Sequence, residues 1–531
     1  MKILIPLLLL LLTTSHYYST TFYVAKNGND SNIGSESLPW LTIQKAANSL
    51  ITGDSVLVKS GTYNERVIVQ NSGTLNHFIV FSNYQNDVVT IDGNNISWGS
   101  SWNGLFDVSD KNYIEIKGFR ILNADYAGIW TENSAHIRIL NNYTYNTFSS
   151  GIGIWDSNNI SIQNNEVELA CNDGGQECIT LANSFNCQIF ENNVHHNGPG
   201  NEGGEGIDAK AGSHDINIFE NEVHHLNSRL GIYADAWDLH TYNINIYNNI
   251  IHHCSESGLA VASENGGLIE YVNIYNNIIY HNQYGGIELG NWSDVNFPGP
   301  KPIKHIKIIN NTCYKNGDYN NGWGYGIVID NPNATDIIIR NNICSENSAQ
   351  LAIQQIGTTE IADHNLIFGN NIATGTIYGS DSIVSNPLFV DANNFNFHLQ
   401  NNSPAIDKGN SLDAPSSDFE NNNRPLGLNF DIGAFEYNPI LNINTSNTSN
   451  ELINIYPNPV FDQFKISIPK NRQQTYTLEL FDINGKLVKK EKNKMQNEFV
   501  SINRKKIASG IYTLSIRTSN NTTVNKKLII E

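Results

Sequence analysis

Two stretches near the middle of the chain carry charged residues inside segments that have the alternation of strands. Residues 204–216 read GEGIDAKAGSHDI and contain Asp208 and Lys210. Residues 230–240 read LGIYADAWDLH and contain Asp235, one repeat later. A lysine and two carboxylates on one face could transfer protons to and from a substrate. We therefore take Asp208, Lys210 and Asp235 as candidate catalytic residues.

The segments that carry these residues belong to an internal repeat of about 22 to 30 residues. Each repeat has a Gly-Ile start, an alternating I-x-I run, an Asn pair and an ending such as V-H-H. Two short strands and an Asn-rich bend per repeat are typical of one coil of a parallel β-helix. We expect one asparagine of each coil to stack into a ladder: Asn142, Asn165, Asn193, Asn221, Asn249, Asn277, Asn311 and Asn342.

The alternation predicts which side chains face solvent. With Ile207 and Ala209 inward, Asp208 and Lys210 point outward, and Asp235 of the next coil should lie directly beside Lys210. The two aspartates would then be about 8 Å apart. Aromatic and acidic side chains on the same face, or in its loops, suit the faces and hydroxyls of a sugar chain. The predicted substrate-binding residues are Trp130, Trp155, Tyr233, Trp237, Glu264, Glu288 and Trp292.

Other residues that could bind metals or form disulfides give weaker signals. The glycine-rich loops CNDGGQE and PGNEGGEG contain Glu177 and Glu205, which could offer oxygen ligands to a calcium ion, although their spacing fits no EF-hand. The six cysteines are too few for a disulfide scaffold, and Cys313 and Cys344 should be buried thiols of adjacent coils. Paired histidines recur at one place in successive coils, a pattern that indicates stacked turns rather than a metal site: His195-His196, His224-His225 and His252-His253.

The net charge of the chain and its N-terminal segment limit the possible partners. The net charge of −19 disfavours nucleic acid. Residues 451–531 hold 14 basic and 7 acidic side chains, whereas the rest of the chain holds 18 and 44, which indicates two units with separate roles. Residues 1–19 have the positive start and apolar run of a signal peptide. We expect a secreted monomer with no transmembrane segment in its mature form.

The two ends of the repeat array resemble those of a known class. PWLTIQKAANSL predicts a helix that caps the first coil, with Leu41, Ile43, Ala46, Ala47 and Leu50 on one side. The surrounding segment resembles the N-terminal part of bacterial right-handed parallel β-helix proteins of the pectate-lyase-like class. SNPLFVDANNFNFHLQ and NRPLGLNFDIGAFEY resemble the module that closes such helices. The resemblance implies an all-β, right-handed, single-stranded parallel β-helix over residues 20–437.

A linker and a second unit follow. Residues 438–450 read as a flexible linker, and the alternation in residues 451–531 predicts a small β-sandwich of about seven strands. Such a sandwich could bind carbohydrate. The pieces YPNP, FDINGKLV, SGIYTLSI and KKLIIE closely resemble the C-terminal sorting domain of the Bacteroidetes type IX secretion system. This implies that the type IX machinery carries the protein through the outer membrane, removes the tail, and releases the protein or attaches it to the surface.

Three functions remain open. EGIDAK resembles the stretch that carries the base lysine of calcium-dependent pectate lyases of family nine; Lys210 matches the base, whereas Glu205 replaces an aspartate. A lyase acting on an acidic polysaccharide by β-elimination is the leading interpretation. An inverting glycoside hydrolase that uses Asp208 and Asp235 is the alternative, with Asp238, Glu264 or Glu288 as possible substitutes. A non-catalytic surface glycan-binding protein or adhesin is the third.

Overall fold

The computed structural model describes residues 19–438 and parts of 454–530. Residues 100–101, 173–174, 200–202, 293–296, 318–323, 348–350, 356–359 and 370–378 are not described in the first stretch. In the second, residues 457–462, 468–474, 483–485, 495–498, 504–506, 509 and 519–522 are not described. The chain divides into two compact units, Met1–Tyr437 and Asn438–Glu531. Almost all of the predicted signal peptide and linker lies outside the described residues.

Each coil of the first unit contributes three short strands, which pair in parallel with the equivalent strands of the neighbouring coils. The predicted right-handed parallel β-helix is confirmed. The prediction of two strands per coil is wrong, because a third strand follows the Asn pair. That strand is about three residues long with one inward side chain, as in Glu222–His224, so it is too short to show alternation.

The three parallel sheets are named sheet 1, sheet 2 and sheet 3, in the order in which a coil visits them. Sheet 1 comprises Val67–Ile68, Gly104–Asp107, Ala127–Glu132, Ile152–Trp155, Ile179–Ala182, Ile207–Lys210, Ile232–Asp235, Leu259–Ala262, Gly285–Gly290, Tyr325–Ile329 and Leu351–Gln355. Sheet 2 comprises Thr21–Val24, Ser55–Val58, Ile79–Asn83, Asn112–Lys117, Ala135–Leu140, Ser161–Gln163, Phe185–Phe190, His214–Phe219, Thr241–Tyr247, Ile269–Tyr275, Ile303–Ile309, Ala334–Arg340 and Glu360–Asp363. Sheet 3 comprises Gly61–Tyr63, Val89–Asp92, Phe119–Leu122, Tyr143–Tyr145, Glu166–Glu168, Asn193–His195, Glu222–His224, Ile250–His252, Ile278–Tyr280, Thr312–Tyr314, Ile343–Ser345, Leu366–Phe368 and Ile383–Val384.

The predicted cap is a short helix, Ile43–Ser49, whose first turn is closed by the Thr42 side chain accepting a hydrogen bond from the Lys45 backbone N–H. Its apolar side joins the core of the coils, which shields the apolar residues at the open end. Leu50 is buried with the helix, but Leu41 is 37% exposed, so its predicted place on the buried side is wrong.

The asparagine ladder exists and is longer than predicted. Each side-chain amide donates to the side-chain oxygen of the next coil at 3.0–3.1 Å. Its members are Asn142, Asn165, Asn192, Asn221, Asn249, Asn277, Asn311, Asn342 and Asn365. The predicted member Asn193 is wrong, because it begins a strand of sheet 3 and its neighbour Asn192 points inward.

The histidines and cysteines lie as the repeat predicts. Histidine rings of successive coils stack with centroids 4.8–5.4 Å apart in the pairs 195/224, 224/252, 196/225 and 225/253. Cys313 and Cys344 pair in register on adjacent strands of sheet 3, and both are fully buried. All six cysteines are free and buried.

The closing module contains the hairpin Phe389–Asp391 and Asn396–Leu399, joined by a 3-10 turn at Ala392–Asn394, and it packs against outward side chains of sheet 3 such as Tyr280 and Tyr314. Its central polar contact is an ion pair between Arg424 and Glu436, 2.5 Å apart, with neither side chain exposed. The Arg424 guanidinium also donates to the Gly433 carbonyl at 2.9 Å, so this buried charge is held by several acceptors.

The described residues of the second unit form two small antiparallel sheets. One consists of Asn454–Tyr456, Gln463–Ser467 and Phe499–Asn503, and the other of Leu487–Lys494, Thr475–Asp482, Gly510–Thr518 and Thr523–Ile530. Across the part of the chain that the structure describes, no helix is long and apolar enough to span a membrane.

Candidate functional site

The predicted pairing of the candidate strands is confirmed. Ile207–Lys210 pairs with Ile232–Asp235 so that Asp208 faces Tyr233, and the Ala211 N–H donates to the Asp235 carbonyl at 3.2 Å. Lys210 and Asp235 are therefore neighbours across the strands. A glycine precedes each of these strands, and a Cβ on Gly231 would lie 2.3 Å from the Gly258 carbonyl. The Gly-Ile start of the repeat thus reflects close approach of successive coils.

The expectation that these side chains project into solvent is wrong. Asp208 is 1% exposed, Asp235 3% and Tyr233 4%, although all three point away from the core. Loops that precede and follow the strands of sheet 1 cover them. Carboxylates at such depth must be paired, protonated or bound to a cation. The alternative of an ordinary solvated face is therefore excluded for Asp208 and Asp235.

Lys210 is held by the loop of the previous coil. Its Nζ lies 2.6 Å from Glu177 Oε1 and 3.2 Å from Gln176 Oε1, and 5.9 Å from the centre of the Trp155 ring. The other Glu177 oxygen accepts the Thr180 hydroxyl at 2.9 Å. Burial alone would lower the pKa of Lys210, but Glu177 and Asp208 outweigh it and hold that pKa above its usual value. The lowered pKa expected of a base lysine is thus not found in this state.

The two aspartates differ in their partners. Asp235 Oδ1 accepts the Trp237 backbone N–H at 2.6 Å. Asp208 Oδ1 is buried and has no hydrogen-bond partner among the described residues. Burial raises the pKa of both carboxyls well above the usual value, with Glu177 adding to the effect at Asp208 and Glu264 at Asp235. Both groups therefore hold a proton more readily than ordinary aspartates.

Glu205 and Glu288 also have raised pKa values. Burial and then Glu177 raise the pKa of Glu205 to about 7. Burial raises the pKa of Glu288 to about 7 against the opposing effect of a hydrogen bond from Ser257, whose Oγ lies 2.5 Å from Glu288 Oε2. Glu288 lies three coils beyond Asp208 on the same line of outward positions, with Tyr233 and Ala260 between them.

Tyr233 separates the carboxylates from an apolar group on the next coils. Its hydroxyl donates to Glu264, and its ring meets Trp292 edge to face with centroids 5.8 Å apart. Trp292 packs with Leu230, Tyr233, Ala260 and Ala262. Trp237 is 37% exposed and lies two residues after Asp235. The structure thus brings Tyr233, Trp237, Glu264 and Trp292 to one side of the candidate catalytic residues.

An aromatic cluster borders the other side. Trp130 is fully buried, so its ring offers no surface to a sugar, which corrects its expected position on the exposed face. It packs beside Trp155, which is partly exposed. The sequence interpretation missed Trp102, which is 49% exposed and meets the Trp155 ring edge to face at 4.8 Å. The sequence indicated a role for Trp102 only through its position, about one coil before Trp130.

The carboxylates form a donor set for a hard cation. Glu177, Glu205, Asp208 and Asp235 lie close enough to interact with one another and with a single ammonium, that of Lys210, so four carboxyl groups share one cationic side chain. Oxygen ligands and excess negative charge are what calcium requires. The unpartnered oxygen of Asp208 and the raised pKa values fit such an ion, although both Glu177 oxygens already have partners.

Two segments of the chain match known family models. Residues 22–232 match the Pel9A-like, right-handed β-helix region. The match includes Asp208 and Lys210 and ends just before Asp235. Residues 454–531 match the secretion system C-terminal sorting domain, which indicates secretion and attachment at the cell surface, and implies a secretion machinery as partner.

Two curated relatives cover short stretches. The uncharacterized protein YwoF of Bacillus subtilis (strain 168) is 33% identical over 129 residues, 23% of this chain and 28% of that protein. Pectate lyase PEL9 of Emericella nidulans is 24% identical over 151 residues, 26% of this chain and 37% of that protein. The chain thus spans less than two fifths of the length of either relative.

A solved structure shares the fold. The complex of XylC with xylose is 13% identical, with a TM-score of 0.50, and the similarity covers 78% of this chain and 99% of that one. At this identity the likeness concerns the β-helix alone.

Proposed function

We propose that the protein cleaves an acidic polysaccharide by β-elimination at the cluster around Lys210. The observation that carries the proposal is that Lys210, only 15% exposed, lies among four carboxyl groups, one of which, Asp208, has a buried oxygen without a partner among the described residues. The match to the Pel9A-like region and the partial similarity to a pectate lyase support the same reaction class.

In this proposal Lys210 removes the proton next to the carboxyl group of a uronate. The C–H electrons form a double bond, the neighbouring C–O bond breaks, and the sugar on the leaving side departs with that oxygen, which takes up a proton from water. The proton moves to Nζ, so the lysine must be neutral beforehand. The Glu177 ion pair opposes this, and the reaction requires that its negative charge be offset when substrate binds.

A calcium ion is proposed as cofactor, held by Glu205, Asp208 and Asp235. When bound, such an ion would supply positive charge that neutralises the uronate carboxylate and lowers the pKa of Lys210. Glu177, the other ligand predicted from the sequence, would retain its contacts with Lys210 and Thr180, which keep the lysine in place. Trp155, with Trp237 and Trp292 on the other side, would bind sugar rings along the face.

Glycoside hydrolysis is the second candidate, and the raised pKa values of Asp208 and Asp235 favour it. A carboxyl group that keeps its proton near neutral pH can serve as a general acid, while a second carboxylate activates water. Lys210 would then bind substrate. A glycan-binding protein or adhesin is the third candidate, and it requires no proton transfer at the cluster.

Digestion of a panel of acidic and neutral polysaccharides with calcium and with chelator tests these candidates. A lyase yields an unsaturated product that absorbs ultraviolet light, and Lys210→Ala should reduce its rate at least about 100-fold. The matched control is Lys304→Ala, which replaces an exposed lysine of sheet 2. Circular dichroism confirms that each variant is folded.

Other outcomes assign the other functions. If Lys210→Ala stays active while Asp208→Asn or Asp235→Asn loses reducing-sugar production without ultraviolet absorbance, the protein is a hydrolase. If no polymer is cut but one retains the protein on a column, it is a binding protein. Either result would overturn the lyase proposal.

A further inference from the structure

Three successive coils end their sheet 3 strand with two histidines that face each other. The Nδ1 atoms lie 2.7 Å apart in His195-His196 and 2.8 Å apart in both His224-His225 and His252-His253. Within each pair the ring planes are 87–90° apart. The first histidine of a pair ends a strand, and the second has a positive φ of 51–54°, which turns its ring back toward the first.

The fold does not require histidine at these positions. The left-handed residue recurs in other coils with other side chains, so the backbone turn is independent of the imidazoles. The equivalent pairs there are Tyr145-Asn146, Glu168-Leu169 and Tyr314-Lys315. Tyrosine can provide the same ring stacking, since Tyr280 of the next coil stacks on His252. Stacking alone therefore does not require histidine. Six adjacent imidazoles therefore call for a role beyond the turn.

Hydrogen bonds orient the first histidine of each pair, the inner one, so that it could bind a metal. The second histidine is the outer one. The Nε2 of His252 lies 3.2 Å from Glu222 Oε1, and that of His195 lies 3.3 Å from Glu166 Oε1. The Nε2 of His224 lies 3.0 Å from Asn193 Oδ1. Because these oxygens accept, each Nε2 carries the proton and the Nδ1 lone pair points at the outer histidine. A carboxylate on the far nitrogen is the usual support of a metal-binding histidine.

The sequence pattern alone indicated stacked turns rather than a metal site, but the facing Nδ1 atoms change this interpretation. We propose that His225, His252 and His253 bind a late transition-metal ion, with Cu²⁺ as the preferred ion. Ligand nitrogens of these three residues all lie within 4.8 Å of one another. The rings of His225 and His253 stack at 4.8 Å, and that of His252 stands across both. The ion would replace the proton shared between His252 and His253.

The spacing of the nitrogens favours this ion class. Two ligands about 2.0–2.1 Å from a metal and 2.8 Å from each other subtend an angle of about 90°. That angle suits the tetragonal arrangement of Cu²⁺ or Ni²⁺ better than tetrahedral Zn²⁺, and imidazole affinity is greatest for Cu²⁺. The carboxylate–lysine cluster of sheet 1 offers oxygen ligands on a different sheet, so this site is separate from the proposed active site.

Titration of the full chain, without a polyhistidine tag and after chelator treatment, tests the proposal. Wild-type protein should bind Cu²⁺, and electron paramagnetic resonance should show coupling to several nitrogens. The double variant His225→Asn/His253→Asn should weaken the tightest binding step at least about 10-fold. Asparagine tolerates the left-handed backbone at both positions, so the turn is preserved.

The matched control is His281→Asn, at the same left-handed position one coil on, where its neighbour is Tyr280. It should bind Cu²⁺ like the wild type. The proposal is overturned if the double variant keeps wild-type affinity, if His281→Asn weakens binding equally, or if the bound copper shows no nitrogen coupling. Thermal unfolding in chelator separates loss of the metal from loss of the fold.

Discussion

Replacing Glu288 with glutamine should make the protein more stable at alkaline pH. Glu288 is largely enclosed on the outer side of sheet 1, where it receives a hydrogen bond from Ser257. Burial raises its pKa from 4.5 to about 7. A glutamine oxygen can accept the same hydrogen bond without carrying charge, so the substitution removes the ionisation and little else.

The magnitude follows from the difference between the two pKa values. The folded protein holds the Glu288 proton more tightly than the unfolded chain, so its contribution to stability is complete below about pH 4.5 and is lost as pH rises through about 7. A shift of about 2.5 units corresponds to about 3 kcal/mol, an upper limit because part of the side chain meets solvent. The free energy of unfolding of Glu288→Gln, minus that of the wild type, should therefore be up to about 3 kcal/mol larger above pH 8 than at pH 4.

Urea unfolding followed by circular dichroism, at intervals from pH 4 to pH 9 in chelator, measures this difference. Glu191→Gln controls for the change in net charge, because it removes an exposed carboxylate that directly follows the sheet 2 strand Phe185–Phe190. If wild type and Glu288→Gln lose stability in parallel between pH 5 and pH 8, burial does not raise this pKa, and the description of sheet 1's enclosed carboxyls is mistaken.

Three further results are expected. Asn249→Ala removes the acceptor of the Asn221 backbone N–H and side-chain amide, and should cost about 3 kcal/mol by urea unfolding, whereas Asn245→Ala on the outer side of sheet 2 should cost less than 1 kcal/mol. Similar losses for both would contradict a structural role for the inner row. Arg424→Ala leaves Glu436 buried and unpaired, and should cost about 3–5 kcal/mol; an unchanged unfolding midpoint would mean that the closing module does not stabilise the helix. A thiol reagent should label none of the six cysteines in the native protein and all of them after unfolding, and rapid native labelling would contradict their burial.

The sequence predicted the pairing of the strands because alternation leaves little freedom. Ile207, Ala209, Ile232 and Ala234 are all fully buried, and a slip of one residue would turn them outward. The asparagine row was one residue wrong at Asn193, because two asparagines occur together there and alternation does not say which points inward. The third strand of each coil was missed because it has a single inward residue, and one residue cannot show the alternation that identifies a strand.

The depth of the site could not be predicted from the repeat. Gln176, Glu177, Glu264 and Trp292 cover the outward positions, and they lie in loops whose paths no periodic pattern describes. The partner of Lys210 was therefore expected to be Asp235, its neighbour in the pairing, whereas its ammonium turns to Glu177 in the preceding loop. Burial by these loops, rather than strand position, sets the pKa values of the cluster.

The row of inner asparagines also bears on how the protein can change length. Every member donates to the next and accepts from the previous one in the same direction, and the row begins at the Phe119 N–H and ends at Ser382 Oγ. Removing the 28 residues 222–249, from the position after Asn221 through Asn249, would rejoin identical partners on either side. Whole turns can thus be gained or lost in evolution without a mismatch, whereas insertions of any other size must be accommodated in the loops that enclose the face of sheet 1.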